Sequence, residues 1–364
     1  MQKIAIVGTR GIPACYGGFE TFAEEVSTRL ASQGMDITVW CDCSDSQVSH
    51  FGNVALAFSS YKKSKNPLKY YYDSINRASK ESDILLVAGT GGAIFYWLAK
   101  LRGKKIVTNI DGIESKRAKW SFLKKLYIKL SEILSIRYSD VIIADSEGIK
   151  RYVLSNYRIV EERIRVIEYG ALVNYDFDQA VLEKYGLVSD SYYLVVSRLE
   201  PENNIQMIVE GYLLSKSDKP LVIVGGLNST AFVNSLLRYQ SENVRFLDGI
   251  YNKHELSVIR ASCFAYLHGH SVGGTNPSLL EAMGSGNISV CHDNVFNREV
   301  TNSLMFYFSS ASELSNNLLK IESLSGEDKA EIWVSARLRI TDYYNWGNMT
   351  EKYFSLLNEF NCTR

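Results

Sequence analysis

The stretch His268-Gly-His-Ser-Val-Gly-Gly-Thr-Asn-Pro-Ser-Leu-Leu-Glu-Ala-Met-Gly284 decides how the rest of the chain is read. The apolar run before it, Cys263-Phe-Ala-Tyr-Leu267, reads as a buried strand. A glycine-bearing loop follows, then a helix start with Asn276 as N-cap and Pro277 at the first helical position. Strand, glycine loop and helix N-terminus together form an anion site, because unsatisfied N–H groups and the positive dipole end point into the loop. Gly273 and Gly274 leave the backbone there open to a phosphate. Glu281 lies one turn further along, on the same face as Pro277. A carboxylate repels phosphate but suits the hydroxyls of a neighbouring sugar, so the pattern describes a nucleotide site. The same residues also describe an ordinary capped strand-to-helix turn.

Outward from this stretch, the 364 residues exceed one comfortable core and predict two domains. A hydrophobic content of 46% with 22% charged residues places the chain among globular proteins. The formal net charge is zero, so no global field argues for nucleic acid. Cys15, Cys41, Cys43, Cys263, Cys291 and Cys362 are scattered, without paired metal spacing, as expected of a reduced cytoplasmic protein. Lys3-Ile-Ala-Ile-Val7 enters a strand at once, which predicts no signal peptide, and no apolar run approaches the ~18 residues of a membrane span.

The first half alternates short apolar strands (Lys3–Val7, Ile37–Trp40, Ile84–Val87, Ile106–Thr108, Val141–Ala144) with helices, the first from about Glu20 to Ala31. Strands buried on both faces and separated by helices predict a parallel sheet covered on both sides. The pattern loosens at Glu168–Asp178, then restarts with Tyr193–Val196, Leu221–Val224, Val244–Leu247, Cys263–Leu267 and Ile288–Cys291. Two doubly wound halves follow from this. The tail from Ala330 is helical and aromatic.

Four further constellations bear on chemistry. Gly8-Thr-Arg-Gly-Ile-Pro13 fails the dinucleotide pattern, since Arg10 and Pro13 stand where glycines are needed; this argues against a dehydrogenase. Gly17-Gly18-Phe19-Glu20, directly before a helix, forms a nest for a phosphate or sugar oxygen, or a plain connector. Arg198, in Ser197-Arg-Leu-Glu-Pro-Glu-Asn-Asn204 at a strand end, could grip a diphosphate, or pair with Glu200 or Glu202. Asp111, in Asp111-Gly-Ile-Glu114, is a substrate ligand or base, or a helix cap. Directly after it, Lys116-Arg-Ala-Lys-Trp-Ser-Phe-Leu-Lys-Lys-Leu-Tyr-Ile-Lys129 holds six basic residues, no acidic one and several aromatics. It reads as a basic amphipathic helix for an anionic membrane surface, or as a solvated face over a core stripe. His268, His270 and His292 lack metal-site spacing, and no carboxylate pair has the look of a metal-binding D-x-D, so no metal is expected.

With these residues in place, the chain resembles the family-four retaining glycosyltransferases, in particular the bacterial rhamnosyltransferase-like branch of surface polysaccharide synthesis. The carriers are Gly8–Pro13 with Gly17–Glu20, Asp111–Glu114, Arg198–Asn204 and His268–Gly284. The resemblance implies the α/β GT-B fold: two doubly wound Rossmann-like domains, residues 1–174 and 175–342, with a C-terminal helix at about 343–364 crossing back to the first. Glu281 matches the second glutamate of the family's E-x7-E signature, which holds the nucleotide ribose, while the first falls on Gly273. Arg198 matches the diphosphate-binding arginine, and the lysine expected five residues later is Asn203.

The implied activity is metal-independent transfer, with retention, from a nucleoside-diphosphate sugar. The resemblance to that branch implies dTDP-rhamnose as the donor of L-rhamnose and an undecaprenyl-diphosphate-linked saccharide as the acceptor. Gly17, Gly18, Arg198, Asn203, Gly273, Gly274, Thr275, Asn276, Ser278 and Glu281 would bind the donor, and Arg198 and Asp111 would act catalytically. Glu114, Lys116, Arg117, Lys119, Trp120, Lys124 and Lys125 would face the acceptor or the cytoplasmic side of the membrane. No cofactor and no nucleic-acid partner is implied. A GT-B sugar-nucleotide 2-epimerase and a non-catalytic nucleotide-sugar binding protein are the alternatives.

Overall fold

The structure, a computed structural model, describes residues 2–15, 17–43, 48–110, 112 and 121–360. The chain divides into two compact units. One runs up to Tyr169 and takes in the chain from Trp346 onward; the other is built on Gly170–Asn345.

In the first unit, strands β1 (Lys3–Val7), β2 (Asp36–Cys41), β3 (His50–Phe51), β4 (Val54–Phe58), β5 (Ile84–Ala88), β6 (Lys105–Ile110), β7 (Val141–Ala144) and β8 (Ile164–Val166) form one sheet. Their order is β3-β4-β2-β1-β5-β6-β7-β8, parallel except for the β3–β4 pair. Helices α1 (Gly18–Ser32), α2 (Pro67–Glu81), α3 (Tyr96–Leu101), α4 (Phe122–Tyr138) and α5 (Glu147–Asn156) connect them. Every residue of β5 is buried, as a strand covered on both faces requires.

The second unit carries β9 (Tyr193–Val196), β10 (Leu221–Val224), β11 (Val244–Leu247), β12 (Ala265–His268), β13 (Ser289–His292) and β14 (Phe306–Phe308), in the order β11-β10-β9-β12-β13-β14 and all parallel. Its helices are α6 (Gln179–Lys184), α7 (Ile205–Ser215), α8 (Ala231–Leu236), α9 (Lys253–Ala261), α10 (Pro277–Gly284), α11 (Val295–Thr301), α12 (Ala311–Glu322) and α13 (Gly326–Asp342). In both sheets the strand order reverses beside the first strand of the unit, and at such a switch point the strand-end loops diverge and leave a crevice.

The last helix, α14 (Trp346–Glu359), belongs to the first unit. Phe22 of α1 packs its ring 5.3 Å from that of Tyr353, whose hydroxyl accepts from Asn109 Nδ2 at 3.1 Å. Burying an aromatic ring contributes about 1.5–3 kcal/mol, and that term fixes this helix to α1 rather than to the chain preceding it.

Several expectations need correction. β3, β4, β8 and β14 are edge or near-edge strands, too short or too open to show as apolar runs. β12 and β13 each sit one or two residues later than the apolar pattern placed them, and α1 starts two residues earlier. The basic segment is not one helix from Lys116: α4 begins at Phe122. Asp111, Glu114, Lys116, Arg117, Lys119 and Trp120 lie outside the described residues. Among the described residues, no helix is long and apolar enough to cross a membrane.

Candidate functional site

The second unit brings three strand-end loops together by close backbone approach. A Cβ on Gly225, after β10, would lie 2.3 Å from the Ser197 carbonyl oxygen; one on Gly269, after β12, would lie 2.1 Å from that of Asn203. Real Cβ atoms do not come so near, so glycine is required at both positions. Hydrogen bonds close the seam: Asn204 Nδ2 donates to the Gly269 oxygen at 2.8 Å, and the N–H and hydroxyl of Ser271 donate to the Glu202 oxygen at 3.0 and 2.8 Å.

On this frame the loop after β9 makes a 3-10 turn, Pro201–Asn203, and α7 starts after Asn204 in the left-handed region at φ 50°. Asn203 is buried and donates its side-chain amide to the Arg198 oxygen at 2.7 Å, bracing the loop instead of facing out. Arg198 itself is 54% exposed, with Glu200 3.8 Å away. At 3.8 Å, and with the guanidinium half in solvent, this contact contributes little to stability, so Arg198 can turn to another anion at small cost.

The loop after β12 leads into α10. Asn276 caps the helix by accepting from the Ser278 N–H at 2.9 Å, and Pro277 occupies the first turn. The Ser278 hydroxyl is turned inward, 3.0 Å from the Val196 oxygen and 2.8 Å from the Tyr266 hydroxyl, so it seats α10 on the sheet. Thr275 and Gly274 are buried. Gly273 has φ 140°, and a Cβ there would meet nothing within 4 Å. The first-turn N–H groups of α10 are occupied by Asn276, which leaves Gly273-Gly274, ahead of the dipole's positive end, as the place for an anion. One turn on, Glu281 is 41% exposed and pairs through Oε2 with the Arg260 guanidinium at 2.7 Å; Arg260 is only 6% exposed. Sequence reading missed Arg260. It stands on α9, and nothing in its spacing announces a partner on α10.

The three histidines noted in the sequence do meet. His268 and His270 stack with ring centroids 4.4 Å apart, and His292 lies close to His268. Neither nitrogen of the His268 ring meets a hydrogen-bond partner. Burial, and next the neighbouring His292, hold its pKa down at about 3, so it is a neutral ring packed under the loop. Among the described residues, no group of three His, Cys, Asp or Glu side chains could hold a metal ion. The sequence does contain the letters of a D-x-D in Asp176-Phe-Asp178. There Asp178 caps α6 and pairs with His254 at 3.3 Å, and Asp176 accepts from the Ser257 hydroxyl at 2.7 Å.

In the first unit, Gly8 (φ 98°) and Gly11 (φ 111°) let the first loop pass where a Cβ would strike the Ala88 oxygen and the Cys41 sulfur. Glu20, buried in the first turn of α1, accepts from the Arg10 N–H at 2.8 Å. Its carboxylate thus sits at the positive end of α1, behind Gly17 and Gly18. Asp42 and Lys63, which sequence reading also missed, complete this loop: Lys63 N–H donates to Asp42 Oδ1 at 2.8 Å and its ammonium to the Gly8 oxygen. Burial raises the Asp42 carboxyl pKa, opposed by the Lys63 hydrogen bond and by Arg10.

Comparison with known proteins supports the architecture. The profile of a family described as "Domain of unknown function (DUF1972)" matches residues 1–172. No curated protein sequence matches the chain. Among solved structures, sucrose-phosphate synthase from Thermosynechococcus elongatus superposes with a TM-score of 0.82 at 15% identity, covering 100% of both chains. A glycosyltransferase from Rickettsia africae gives 0.74 at 17% identity, over 99% of this chain and 98% of that one. HepE from Anabaena, solved with UDP-glucose, gives 0.78 at 15% identity, over 99% and 100%. At these identities the likeness shows the fold, which is GT-B.

Proposed function

We propose that the protein is a retaining, metal-independent glycosyltransferase. It transfers L-rhamnose from dTDP-rhamnose to an undecaprenyl-diphosphate-linked saccharide at the inner face of the cytoplasmic membrane, in bacterial polysaccharide synthesis. The observation that carries the reading is the grouping at one sheet edge of an open glycine at the mouth of a capped helix, a half-exposed arginine on the adjacent strand end, and a glutamate fixed one turn into the helix. These supply, in that order, room for a diphosphate, a countercharge for it, and an acceptor for ribose hydroxyls. The UDP-glucose held by HepE, a protein of the same fold, supports a nucleotide sugar as the ligand class.

In the reaction, the bond from the anomeric carbon to the diphosphate oxygen breaks. The acceptor hydroxyl bonds to the same face of that carbon and gives up its proton, with Asp111 as the base. Negative charge grows on the leaving diphosphate, where Arg198, the Gly273-Gly274 backbone and the dipole of α10 stabilise it more in the transition state than in the ground state. The test is a panel of nucleotide sugars incubated with and without a lipid-linked saccharide extract, followed by product analysis. Sugar transfer from dTDP-rhamnose that requires the extract is expected. A donor epimerised in its absence, or binding without turnover for every donor, refutes the assignment.

A further inference from the structure

Residues 170–178, where the apolar pattern of the sequence loosens, are not a slack connector. They belong to the second unit and are tied as a strap to the ends of α9 and α10. A Cβ on Gly284, the last residue of α10, would lie 2.3 Å from the Leu172 carbonyl oxygen, so glycine is what lets the strap come this close. The Asn174 N–H donates to the Gly284 oxygen at 3.0 Å, and Asp176 accepts from the Ser257 hydroxyl of α9 at 2.7 Å. From α13, the Arg337 guanidinium lies 4.5 Å from the centroid of the Tyr175 ring and donates to the Ser285 oxygen at 2.7 Å.

These ties meet at Asn174. Its side-chain amide donates to the Ser257 oxygen at 3.1 Å and to the Ser285 hydroxyl at 3.3 Å, while its Oδ1 accepts from the Asp176 N–H at 2.7 Å. Donors and acceptor of the amide are all engaged, which fixes its orientation. Ser257 stands one turn before Arg260 on α9, and Ser285 donates its N–H and its hydroxyl to the Glu281 oxygen at 3.0 and 3.1 Å. The Asn174 amide thus bridges the two helices beside the Arg260–Glu281 pair. Asn287, just beyond α10, adds a second bridge by donating to the Arg260 oxygen at 3.0 Å. Helix α10 has eight residues, too few to hold itself without tertiary contacts. Ser278 seats its first turn on the sheet, and the strap holds its last.

We propose that Asn174 is a positioning residue for the nucleoside: it holds α9 and α10 at the separation at which Arg260 presents the Glu281 carboxylate to ribose hydroxyls. This rests on the donor site proposed above. The coupling runs both ways, because a ligand that favours the positioned Glu281 also favours the docked strap. The diphosphate lies outside its reach. Arg198 and Gly273-Gly274 stand on loops braced by Asn203, Asn204 and Ser271 instead.

The test is calorimetric titration of thymidine or uridine and, separately, of pyrophosphate into wild type, Asn174→Ala, Glu281→Gln and the double variant. Amide exchange of the wild type, with and without nucleoside, accompanies it and needs no variant. Asn174→Ala should bind nucleoside about fivefold to tenfold more weakly, and pyrophosphate within about twofold of wild type. In the Glu281→Gln background the same change should weaken nucleoside by less than about twofold, because the carboxylate it positions is gone. Nucleoside should slow exchange of the Asn174 N–H. A merely structural asparagine would weaken both ligands alike and add its full effect to that of Glu281→Gln. Equal losses for the two ligands, additive losses, wild-type nucleoside affinity in Asn174→Ala, or exchange unchanged by nucleoside would each overturn the role and leave the donor site standing. A wild type that binds neither nucleoside nor pyrophosphate removes the donor site, and this role with it.

Discussion

The buried guanidinium of Arg260 holds the half-exposed carboxylate of Glu281 at 2.7 Å, joining α9 to the outer face of α10. One carboxylate oxygen is thereby committed and the other is presented at a fixed angle. Arg260→Met should therefore act on the ligand more than on the fold, since it leaves Glu281 partly in water and not buried and unpaired. A charge-assisted hydrogen bond is worth about 1.5–3 kcal/mol, and part of that should appear as roughly tenfold weaker nucleoside binding, matching Glu281→Gln. Arg260→Lys should recover part of it. Calorimetric titration with nucleosides checks this; an Arg260→Met protein with wild-type affinity removes Arg260 from the site.

Gly269→Ala should disturb the loop that carries Arg198 without touching a ligand. The new methyl would lie 2.1 Å from the Asn203 carbonyl oxygen, which is backbone and cannot swing aside. Overpacking of this kind costs about 1–3 kcal/mol. The expected result is a lowered denaturation midpoint together with weaker diphosphate binding. Loss of stability alone would mean that the seam between the two loops does not set the position of Arg198.

The pH dependence of stability should carry the signature of His268. Its folded pKa of about 3 lies below the ordinary imidazole value near 6.5. Between these values the unfolded chain binds a proton that the folded chain refuses, so stability falls as pH drops through this window and is unaffected above it. At pH 5 the loss from this group is about 2 kcal/mol, and His292, also lowered by burial, adds in the same direction. Urea midpoints at pH 7 and pH 5 measure it. His268→Leu removes no hydrogen bond of the ring and should flatten the difference; an unchanged difference would place the acid sensitivity elsewhere.

Turnover should survive a chelator. In the proposed site Arg198, loop amides and a helix dipole would meet the diphosphate, and the carboxylates of Asp176 and Asp178 are committed to Ser257, α6 and His254. Activity abolished by chelator and restored by magnesium or manganese would require a different means of stabilising the leaving group.

The two sheets were legible in the sequence because fully buried strands such as Ile84–Ala88 and Leu221–Val224 are continuous apolar runs. Strands near the edge such as Val54–Phe58, half-buried and rich in alanine, lack that contrast. At the site, Asn276, Pro277 and Glu281 could be read because capping and helical spacing are local rules. The Arg260–Glu281 pair, the glycine seam at Gly225 and Gly269, and the Asp42–Lys63 link join residues far apart in the chain, and no local pattern encodes them. Asn203 and Ser278 show the complementary difficulty. Their positions were legible, but the direction of their side chains depends on which backbone oxygens the fold brings near.

The most direct measurement is calorimetric titration of nucleoside diphosphates into wild type and Arg198→Ala. Wild type should bind dTDP or UDP, and the variant should lose about 1.5–3 kcal/mol, one to two orders of magnitude in affinity, while unfolding at the same temperature. Equal affinity in the two proteins, or no binding of any nucleoside diphosphate by wild type, would contradict a donor site at the carboxyl edge of the second sheet.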